Sequence, residues 1–449
     1  MTTTVLDQAA AGTASSEKVA ACVPATCRIG LLGLGNVGSA FARLTRSAGA
    51  TLEARGFAPS ISIALVRSVG RPRPAAAFTN RLTAAPDEFF AEPVDVIVEA
   101  LGGVEPACSL VAHALDRGIP VITANKSLMA AHGEALSQVA RRRGTALRFE
   151  ASCIAGVPFL GMFERRPLGS AASGITAILN GTSNAILTAM SGGTSFAAAL
   201  ADAQRLGLAE PDPTMDVSGA DAAEKLTILL RLFGRLLVAP ASIPTAGIGT
   251  VEATDMAAAA AFGGAIRPVS YASWHADRVH AFVGPAFLGA SHTLSRVAGV
   301  TNGIEIRAVG GTQAYIGPGA GPDVTAATLL DDVAEVVTER RVRTPPAAPA
   351  VAARSVVRPE SGWFVRLDGP SRQSDVADLL GSYGIWCRGL ARHGDRTFAL
   401  TCTAGHARIT AALDALQAAI GVNAAAFPAL SEDMPSPPNG GPAARTSGC

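Results

Sequence analysis

Residues 27–44 read CRIGLLGLGNVGSAFARL, and this stretch decides the fold of the first part of the chain. An apolar run leads into a turn that fits the pattern G-x-G-x-x-G, and a helix-like sequence follows. The first glycine permits a tight turn, the second lets the backbone approach a pyrophosphate, and the third lets the helix pack closely on the strand. The pattern predicts dinucleotide binding, with a glycine turn needed only for packing as the alternative. The residues expected to line the cofactor here are Gly33, Gly35, Asn36, Val37 and Gly38.

Four further strands are expected downstream of this turn, with helical sequences between them. They lie at 61–67, 94–101, 119–125 and 146–152. Strands that alternate with helices favour the α/β class, with a doubly wound, Rossmann-type parallel sheet. A later glycine turn opens a long helix at 320–340, which we expect to return and pack on this sheet.

Changes in composition along the chain predict three domains. After residue 150 no further glycine fingerprint appears, and mixed strands and helices indicate an α+β domain for catalysis and dimerisation. A segment rich in Pro, Ala and Arg indicates a linker, and the block after it follows the order βαββαβ. The expected order is a disordered tail (1–26), the dinucleotide-binding domain (27–150, completed by the 320–340 helix), the substrate and dimerisation domain (151–319), the linker (341–360), the βαββαβ module (361–430) and a second disordered tail (431–449).

The end of the second strand bears on the choice of cofactor. NAD sites usually place an acidic residue there to bind the ribose 2′-hydroxyl. Here the strand ends in Arg67, with Arg71 and Arg73 close behind and no carboxylate among them. A guanidinium suits a 2′-phosphate, so NADP(H) is favoured over NAD(H). Solvated loop arginines are the alternative.

Lysine is rare in this chain, and its positions are informative. The sequence has 37 Lys and Arg residues, of which only Lys18, Lys126 and Lys225 are lysines. Arginine stays protonated, whereas a desolvated lysine can exchange a proton. Lys225 lies four residues after Asp221 in the helical stretch DAAEKLTILLRLF, so the two side chains share one helix face. This pattern favours proton chemistry, with an exposed Asp–Lys pair as the alternative.

Several stretches, in the same order as in the family, make the chain resemble homoserine dehydrogenase in its long form with a C-terminal ACT-like module. The most specific are ILNGTSN and AEPDPTMDVSGADAAEKL. The others are LGLGNVGSAF, VIVEALGGVEPA, VITANKSLMA, FEASCIAGVPF and GPGAGPDVTAATLLDDV, and the resemblance covers roughly residues 28–340.

The resemblance implies an NAD(P)-dependent interconversion of L-homoserine and L-aspartate 4-semialdehyde, in threonine and methionine biosynthesis. Lys225 would be the acid and base at the reacting oxygen, with Asp221 orienting it and helping to bind substrate. Lys126 would lie between cofactor and substrate. The remaining residues that the resemblance implies are Glu210 and Asp216 for the substrate, and Gly207 and Gly319 beside the cofactor.

The resemblance also implies a site for a monovalent cation such as Na⁺, built largely from backbone carbonyls. It would involve Glu150, Cys153, Ala155 and Val157. Ile154 stands where the family usually has a small residue, which puts the cation site in question.

The C-terminal block departs from the family as well. Amino-acid-binding ACT modules usually carry an Asp-x-Pro-Gly type turn, and here that turn is scrambled at residues 368–374. Threonine inhibition is therefore not implied, and the module could serve only in oligomer contacts.

Charge and cysteine usage limit the kinds of partner and the cellular location that the sequence favours. The net charge of +1 does not point to nucleic acid, and no run approaches the roughly 20 apolar residues that span a membrane. Seven scattered cysteines without metal spacing, and no export signal, favour the cytoplasm. The family resemblance suggests a homodimer or homotetramer. Two alternatives to the enzyme are a non-catalytic NADP-binding regulatory paralogue and an amino-acid dehydrogenase with a different substrate.

Overall fold

The structure, a computed structural model, describes residues 25–54, 56–157, 159–161, 172–338 and 350–430. The expected tails lie outside the described residues, except that residues 25 and 26 belong to the first strand. Residues 341–349 of the expected linker lie outside them as well.

The N-terminal part forms a six-stranded sheet in which every strand pairs in parallel with its neighbours. The order β3-β2-β1-β4-β5-β6 reverses direction between β1 and β4, which confirms the doubly wound α/β fold. The strands are β1 (Ala25–Leu32), β2 (Phe57–Leu65), β3 (Leu82–Thr83), β4 (Val96–Glu99), β5 (Val121–Thr123) and β6 (Leu147–Arg148). The helices are α1 (Asn36–Ser47), α2 (Gly49–Glu53), α3 (Pro86–Ala91), α4 (Ala107–Asp116) and α5 (Lys126–Arg143).

The helix at Pro322–Thr338 returns to this sheet from the far end of the second domain. Its buried residues Ala326, Leu329 and Val333 join one apolar cluster with Phe41 of α1 and Val98 of β4. Burial of such side chains contributes roughly 1.5–3 kcal/mol each. The packing of this helix joins the end of the second domain to the first domain.

The second part of the chain is organised around a mixed ten-stranded sheet. In spatial order its strands are β12 (Gly311–Pro318), β11 (Thr301–Ala308), β7 (Ala172–Ile178), β9 (Gly264–His275), β10 (Arg278–Gly289), β18 (Asn423–Leu430), β15 (Gly362–Asp368), β17 (Arg396–Thr401) and β16 (Cys387–His393), with β14 (Ser355–Val357) attached to β10. The elements up to residue 338 are β7 (Ala172–Ile178), α6 (Gly181–Ser191), α7 (Phe196–Arg205), α8 (Thr214–Val217), α9 (Ala220–Leu229), β8 (Leu236–Leu237), α10 (Ala253–Ala261), β9 (Gly264–His275), β10 (Arg278–Gly289), β11 (Thr301–Ala308), β12 (Gly311–Pro318) and α11 (Pro322–Thr338).

The helix α9 lies on one face of this sheet and continues as a π-helical turn at Leu230–Gly234. Leu226, Ile228 and Leu229 are fully buried and pack with Ile175 and Ile304 from the strands. Because this face is anchored in the core, the polar side chains at the start of α9 are held at fixed positions.

The C-terminal part has the order βαββαβ. Its elements, with two short strands before it, are β13 (Val351–Ala352), β14 (Ser355–Val357), β15 (Gly362–Asp368), α12 (Gln373–Ser382), β16 (Cys387–His393), β17 (Arg396–Thr401), α13 (His406–Ile420) and β18 (Asn423–Leu430). The described end of the expected linker thus contains strands: β13 pairs with β8, and β14 pairs with β10.

The C-terminal block is continuous with the second sheet, because β18 pairs in parallel with β10 at Phe287↔Ala429 and Leu288↔Leu430. A charged cluster reinforces this joint. The buried Arg366 lies 2.6 Å from Asp255, 3.1 Å from Glu252 and 3.2 Å from Asp368. Sequence patterns do not reveal this joint, because it pairs two strands that lie far apart in the chain.

Candidate active site

The glycine turn follows β1 at the point where the strand order of the first sheet reverses, which is where open α/β sheets bind ligands. Gly33 has φ 96°, and its N–H donates to the carbonyl of Leu65 at 3.0 Å. A Cβ at Gly33 would lie 2.7 Å from the carbonyl oxygen of Ala100. This position therefore requires glycine for both conformation and space.

Gly35 and Gly38 are needed for different reasons. A Cβ at Gly38 would overlap the carbonyl oxygen of Gly33, so this glycine permits α1 to pack on the turn. A Cβ at Gly35 would meet no protein atom within 4 Å. Gly35 is also the N-cap of α1, with no side chain bonded to the helix N-terminus. The open space beside these N–H groups is a cradle that fits the pyrophosphate of a dinucleotide.

The arginines after β2 divide into two kinds. Arg73 is used by the protein itself, because its Nη1 donates to the carbonyls of Ser68 and Arg71 at 2.7 and 3.0 Å. Arg67 and Arg71 are exposed to solvent. An exposed guanidinium beside the cofactor cradle can reach a phosphate without first breaking a hydrogen bond of the protein.

Two lysines and one aspartate form the centre of the site. Asp221 lies in the first turn of α9 with 2% of its surface exposed. The Nζ of Lys225, one turn further along, lies 3.0 Å from its Oδ2, and the Nζ of Lys126 contacts its Oδ1. Lys225 also donates to the carbonyl of Leu179 at 2.8 Å. The two lysine side chains differ in exposure to solvent: 10% of the Lys225 side chain and 36% of the Lys126 side chain is exposed.

The charge states follow from this geometry. Burial opposes ionisation of Asp221, but Lys225, Lys126 and a hydrogen bond from Asn180 outweigh it and hold its pKa well below the usual range. Burial favours the neutral amine of Lys126 and so lowers its pKa. The attraction of Asp221, Glu224 and Asp216 is greater, and the net shift of the Lys126 pKa is upward. The cluster therefore holds an ionised carboxylate beside a protonated Lys126 at neutral pH.

Asn180, which sequence reasoning did not assign, joins the two predicted aspartates. Its Nδ2 donates to Asp216 Oδ1 at 2.7 Å and to Asp221 Oδ2 at 2.8 Å. Its Oδ1 accepts the N–H of Ser183 at 2.8 Å, which caps α6. The stretch ILNGTSN signals the cap, because an Asn-Gly pair separates a strand from a helix, but it does not signal the contacts with the two aspartates.

Glu210 and Gly207 lie on the exposed loop after α7. Gly207 adopts φ 71°, and a Cβ there would meet nothing within 4 Å. The backbone carbonyl of Glu210 accepts a hydrogen bond from Gln204 at 3.2 Å, and its carboxylate is exposed to solvent. The structure therefore does not bring the carboxylate of Glu210 into the buried cluster around Asp221.

Gly319 lies where the turn before α11 meets the segment after β6. Its carbonyl accepts the N–H of Ala155 at 3.2 Å, and a Cβ at this position would overlap the side chain of Asn302. Only glycine fits this contact. The turn is thereby held against residues 154–157.

The segment expected to hold a cation forms a tight turn. The carboxylate of Glu150 accepts the N–H groups of Leu160 and Gly161 at 2.8 and 3.0 Å. The carbonyls of Glu150, Ala155 and Val157 each accept a hydrogen bond, from Cys153, Thr328 and Phe159. A carbonyl oxygen has two lone pairs, so each of these oxygens keeps one lone pair beyond the hydrogen bond that it accepts.

Ile154 and Cys153 both face the interior. Ile154 is fully buried in the apolar cluster beneath α9. Burial raises the pKa of the Cys153 thiol to about 12, so this cysteine is not a thiolate nucleophile. Within the described ranges, no group of three or more His, Cys, Asp or Glu side chains could hold a metal ion. None of the helices in those ranges is long and apolar enough to span a bilayer.

Comparison with known proteins gives one consistent result. A family model described as homoserine dehydrogenase matches residues 158–334, and one described as the homoserine dehydrogenase NAD binding domain matches residues 33–150. A homoserine dehydrogenase of Mycobacterium tuberculosis is 33% identical over 420 residues, covering 86% of this chain and 93% of that protein.

Solved structures agree with the sequence comparisons. A homoserine dehydrogenase from Thiobacillus denitrificans has a TM-score of 0.80 at 28% identity, covering 90% of this chain and 98% of that one. A hyperthermophilic archaeal homoserine dehydrogenase in complex with NADPH has a TM-score of 0.59 at 25% identity. It covers 70% of this chain and 98% of that chain.

Proposed function

Because this chain belongs to the homoserine dehydrogenase family, we propose that it interconverts L-homoserine and L-aspartate 4-semialdehyde with NADP(H), using Lys225 as proton donor and acceptor. The family consists of NAD(P)-dependent oxidoreductases that act on the hydroxyl group of homoserine. The single observation that carries the mechanism is the buried contact of Lys126 and Lys225 with one carboxylate, Asp221.

Lys225 has the chemistry and the position for proton transfer. The nicotinamide, when bound, supplies or accepts the hydride at the substrate carbon. In reduction the Lys225 ammonium gives a proton to the developing alkoxide, and in oxidation the neutral amine takes the hydroxyl proton. The carbonyl of Leu179 and the carboxylate of Asp221 fix its direction. An arginine could not replace it, because a guanidinium does not release its proton.

The other members of the cluster bind and orient. Asp221, ionised and shared by both lysines, sets the distance between them. Lys126, more exposed, is proposed to lie between cofactor and substrate. Asp216, held by Asn180, is proposed to bind the substrate ammonium. Glu210 is proposed to join it, which requires the exposed loop that carries it to close over the substrate.

NADP(H) is proposed as the preferred cofactor. The cradle at Gly35 would hold the pyrophosphate, and the exposed Arg67 would reach the 2′-phosphate. The archaeal neighbour with NADPH supports this choice. The carbonyls of residues 150–157 are proposed to hold a monovalent cation such as Na⁺, which would stiffen the turn against Gly319.

We propose that residues 361–430 are an ACT-like module. The order βαββαβ and the spatial order of strands, fourth, first, third and second, support this assignment. From the family alone, we propose that the chain acts in the pathway to threonine and methionine, lies in the cytoplasm and forms a homodimer or homotetramer.

The direct test is an assay of the purified chain for NADPH consumption with L-aspartate 4-semialdehyde. The reverse reaction is followed as NADPH formation from NADP⁺ and L-homoserine. A non-catalytic regulatory paralogue would bind NADPH without turnover. A dehydrogenase for another amino acid would oxidise that amino acid and leave homoserine unchanged, and either result would overturn the proposal.

A further inference from the structure

Glu99, the last residue of β4, has 0% of its surface exposed and no role in the mechanism above. We propose that Glu99 is a positioning residue that fixes Lys126 against Asp221 by tying the ends of β4 and β5 together. The inference rests on the proposed function, since it assigns Lys126 a place between cofactor and substrate.

The carboxylate of Glu99 collects hydrogen bonds from both strand ends. Its Oε1 accepts the N–H of Leu101 at 2.7 Å and the Nδ2 of Asn125 at 3.4 Å. Its Oε2 accepts the hydroxyl of Thr123, in a short contact. One buried side chain thereby connects the loop after β4 to the loop after β5.

The hydroxyl of Thr123 has a defined direction in this network. Its oxygen accepts the N–H of Asn125 at 2.9 Å, so its hydrogen is free to be donated to Glu99. Asn125 in turn donates its Nδ2 to the carbonyl of Gly103 at 2.6 Å. The N–H of Leu101, the hydroxyl of Thr123 and the Nδ2 of Asn125 are thus three donors ordered around one carboxylate.

The network ends at Lys126. Asn125 is the N-cap of α5, and its Oδ1 accepts the N–H of Leu128 at 3.0 Å. Lys126 is the first residue of that helix, so the direction of its side chain depends on the cap. On the other side, Ser127 donates to Glu224 of α9 at 3.0 Å. The start of α5 is therefore held between Glu99 and α9.

A carboxylate is needed at this position because the groups around it are donors. The Nε2 of a glutamine would face either the N–H of Leu101 and the Nδ2 of Asn125, or the hydroxyl of Thr123. Either orientation leaves a buried donor without its acceptor. Burial raises the pKa of Glu99, while the hydrogen bonds from Thr123, Leu101 and Asn125 oppose that shift. The surrounding donors are the reason why a buried acid is tolerated here.

A double-mutant cycle between Glu99→Gln and Lys126→Ala tests this inference. We expect Glu99→Gln to lower kcat more than about tenfold in the wild-type background, but less than about twofold when Lys126 is already alanine. Thr123→Val should repeat this pattern, and Thr123→Ser, which keeps the hydroxyl, should retain wild-type kcat. Equal losses in both backgrounds would overturn the inference. An inactive wild-type protein would instead overturn the proposed function.

A second readout needs no turnover. The chain has only three lysines, so selective ¹³C labelling of lysine gives three side-chain NMR signals, which can be assigned by substituting each lysine. Glu99→Gln should move the Lys126 signal and leave the Lys18 signal unchanged. If the folded variant, judged by NADPH affinity and thermal unfolding, keeps the Lys126 signal in place, Glu99 does not position this lysine.

Discussion

Replacing Asp221 by asparagine should slow the reaction while sparing cofactor binding. The change keeps the shape of the side chain but removes the charge that two ammonium groups share. Breaking a buried ion pair by removing one partner costs about 3–5 kcal/mol. Lys126 is 36% exposed, so water would compensate much of its loss, and the effect falls mainly on Lys225. If about 3 kcal/mol is lost in orienting Lys225, kcat falls roughly 150-fold.

The assay measures initial rates of NADPH consumption together with NADPH affinity by fluorescence titration. Affinity should stay within about threefold, because Asp221 is outside the glycine cradle and the expected loss lies in proton transfer. Asp202→Asn is the matched control, since its partner Arg205 lies 3.2 Å away on an exposed helix face. A kcat for Asp221→Asn within threefold of wild type, or an equal loss of NADPH affinity, would refute the reasoning.

The pH dependence of this variant has a defined sign. The folded-state pKa of Asp221 lies below its unfolded value of about 3.9. Its stabilising contribution is therefore complete above that value and is lost as the pH falls through the folded-state pKa. The difference in the free energy of unfolding between the wild-type protein and Asp221→Asn should accordingly be constant from pH 6 to 8 and shrink at acid pH. A difference that changes by more than about 1 kcal/mol between pH 6 and 8 would contradict an ionised Asp221.

Three other predictions follow from the cofactor cradle and the C-terminal joint. Arg67→Ser should weaken NADPH binding about tenfold and NADH binding less than twofold, by fluorescence titration; equal effects would exclude contact with the 2′-phosphate. Gly35→Ala should weaken NADPH binding with little change in thermal unfolding, whereas Gly38→Ala should lower the unfolding temperature, because only the second Cβ overlaps the protein. Arg366→Met should destabilise the chain by about 3 kcal/mol, because it leaves Asp255 buried without its partner. Burial raises the pKa of Asp255 to about 6, so its protonated form favours the folded state. The loss in the free energy of unfolding caused by Arg366→Met should therefore be larger at pH 8 than at pH 5.

Sequence reasoning succeeded where a local pattern has one physical meaning. The turn around Gly33 and Gly38 cannot take other residues, and the i, i+4 spacing of Asp221 and Lys225 fixes their contact on a helix. The parallel sheet followed from strands that alternate with helices, and its topology is confirmed.

What the sequence could not give depends on contacts between distant segments. Glu99 and Asn180 become polar hubs only when strand ends meet, and neither belongs to a periodic pattern. The pairing of β18 with β10 joins residues far apart in the chain. The sequence also does not show that Ile154 lies fully buried in the apolar cluster beneath α9, so its effect on the cation site stays a prediction.

Single-turnover hydride transfer in Lys225→Ala and Lys225→Arg tests the central claim most directly. With NADPH and L-aspartate 4-semialdehyde in a stopped-flow instrument, both variants should lose at least about 100-fold in rate, the range expected for a general acid. Their NADPH affinity should match that of the wild-type protein. Hydride transfer at near the wild-type rate in either variant would contradict Lys225 as the group that exchanges a proton with the substrate oxygen.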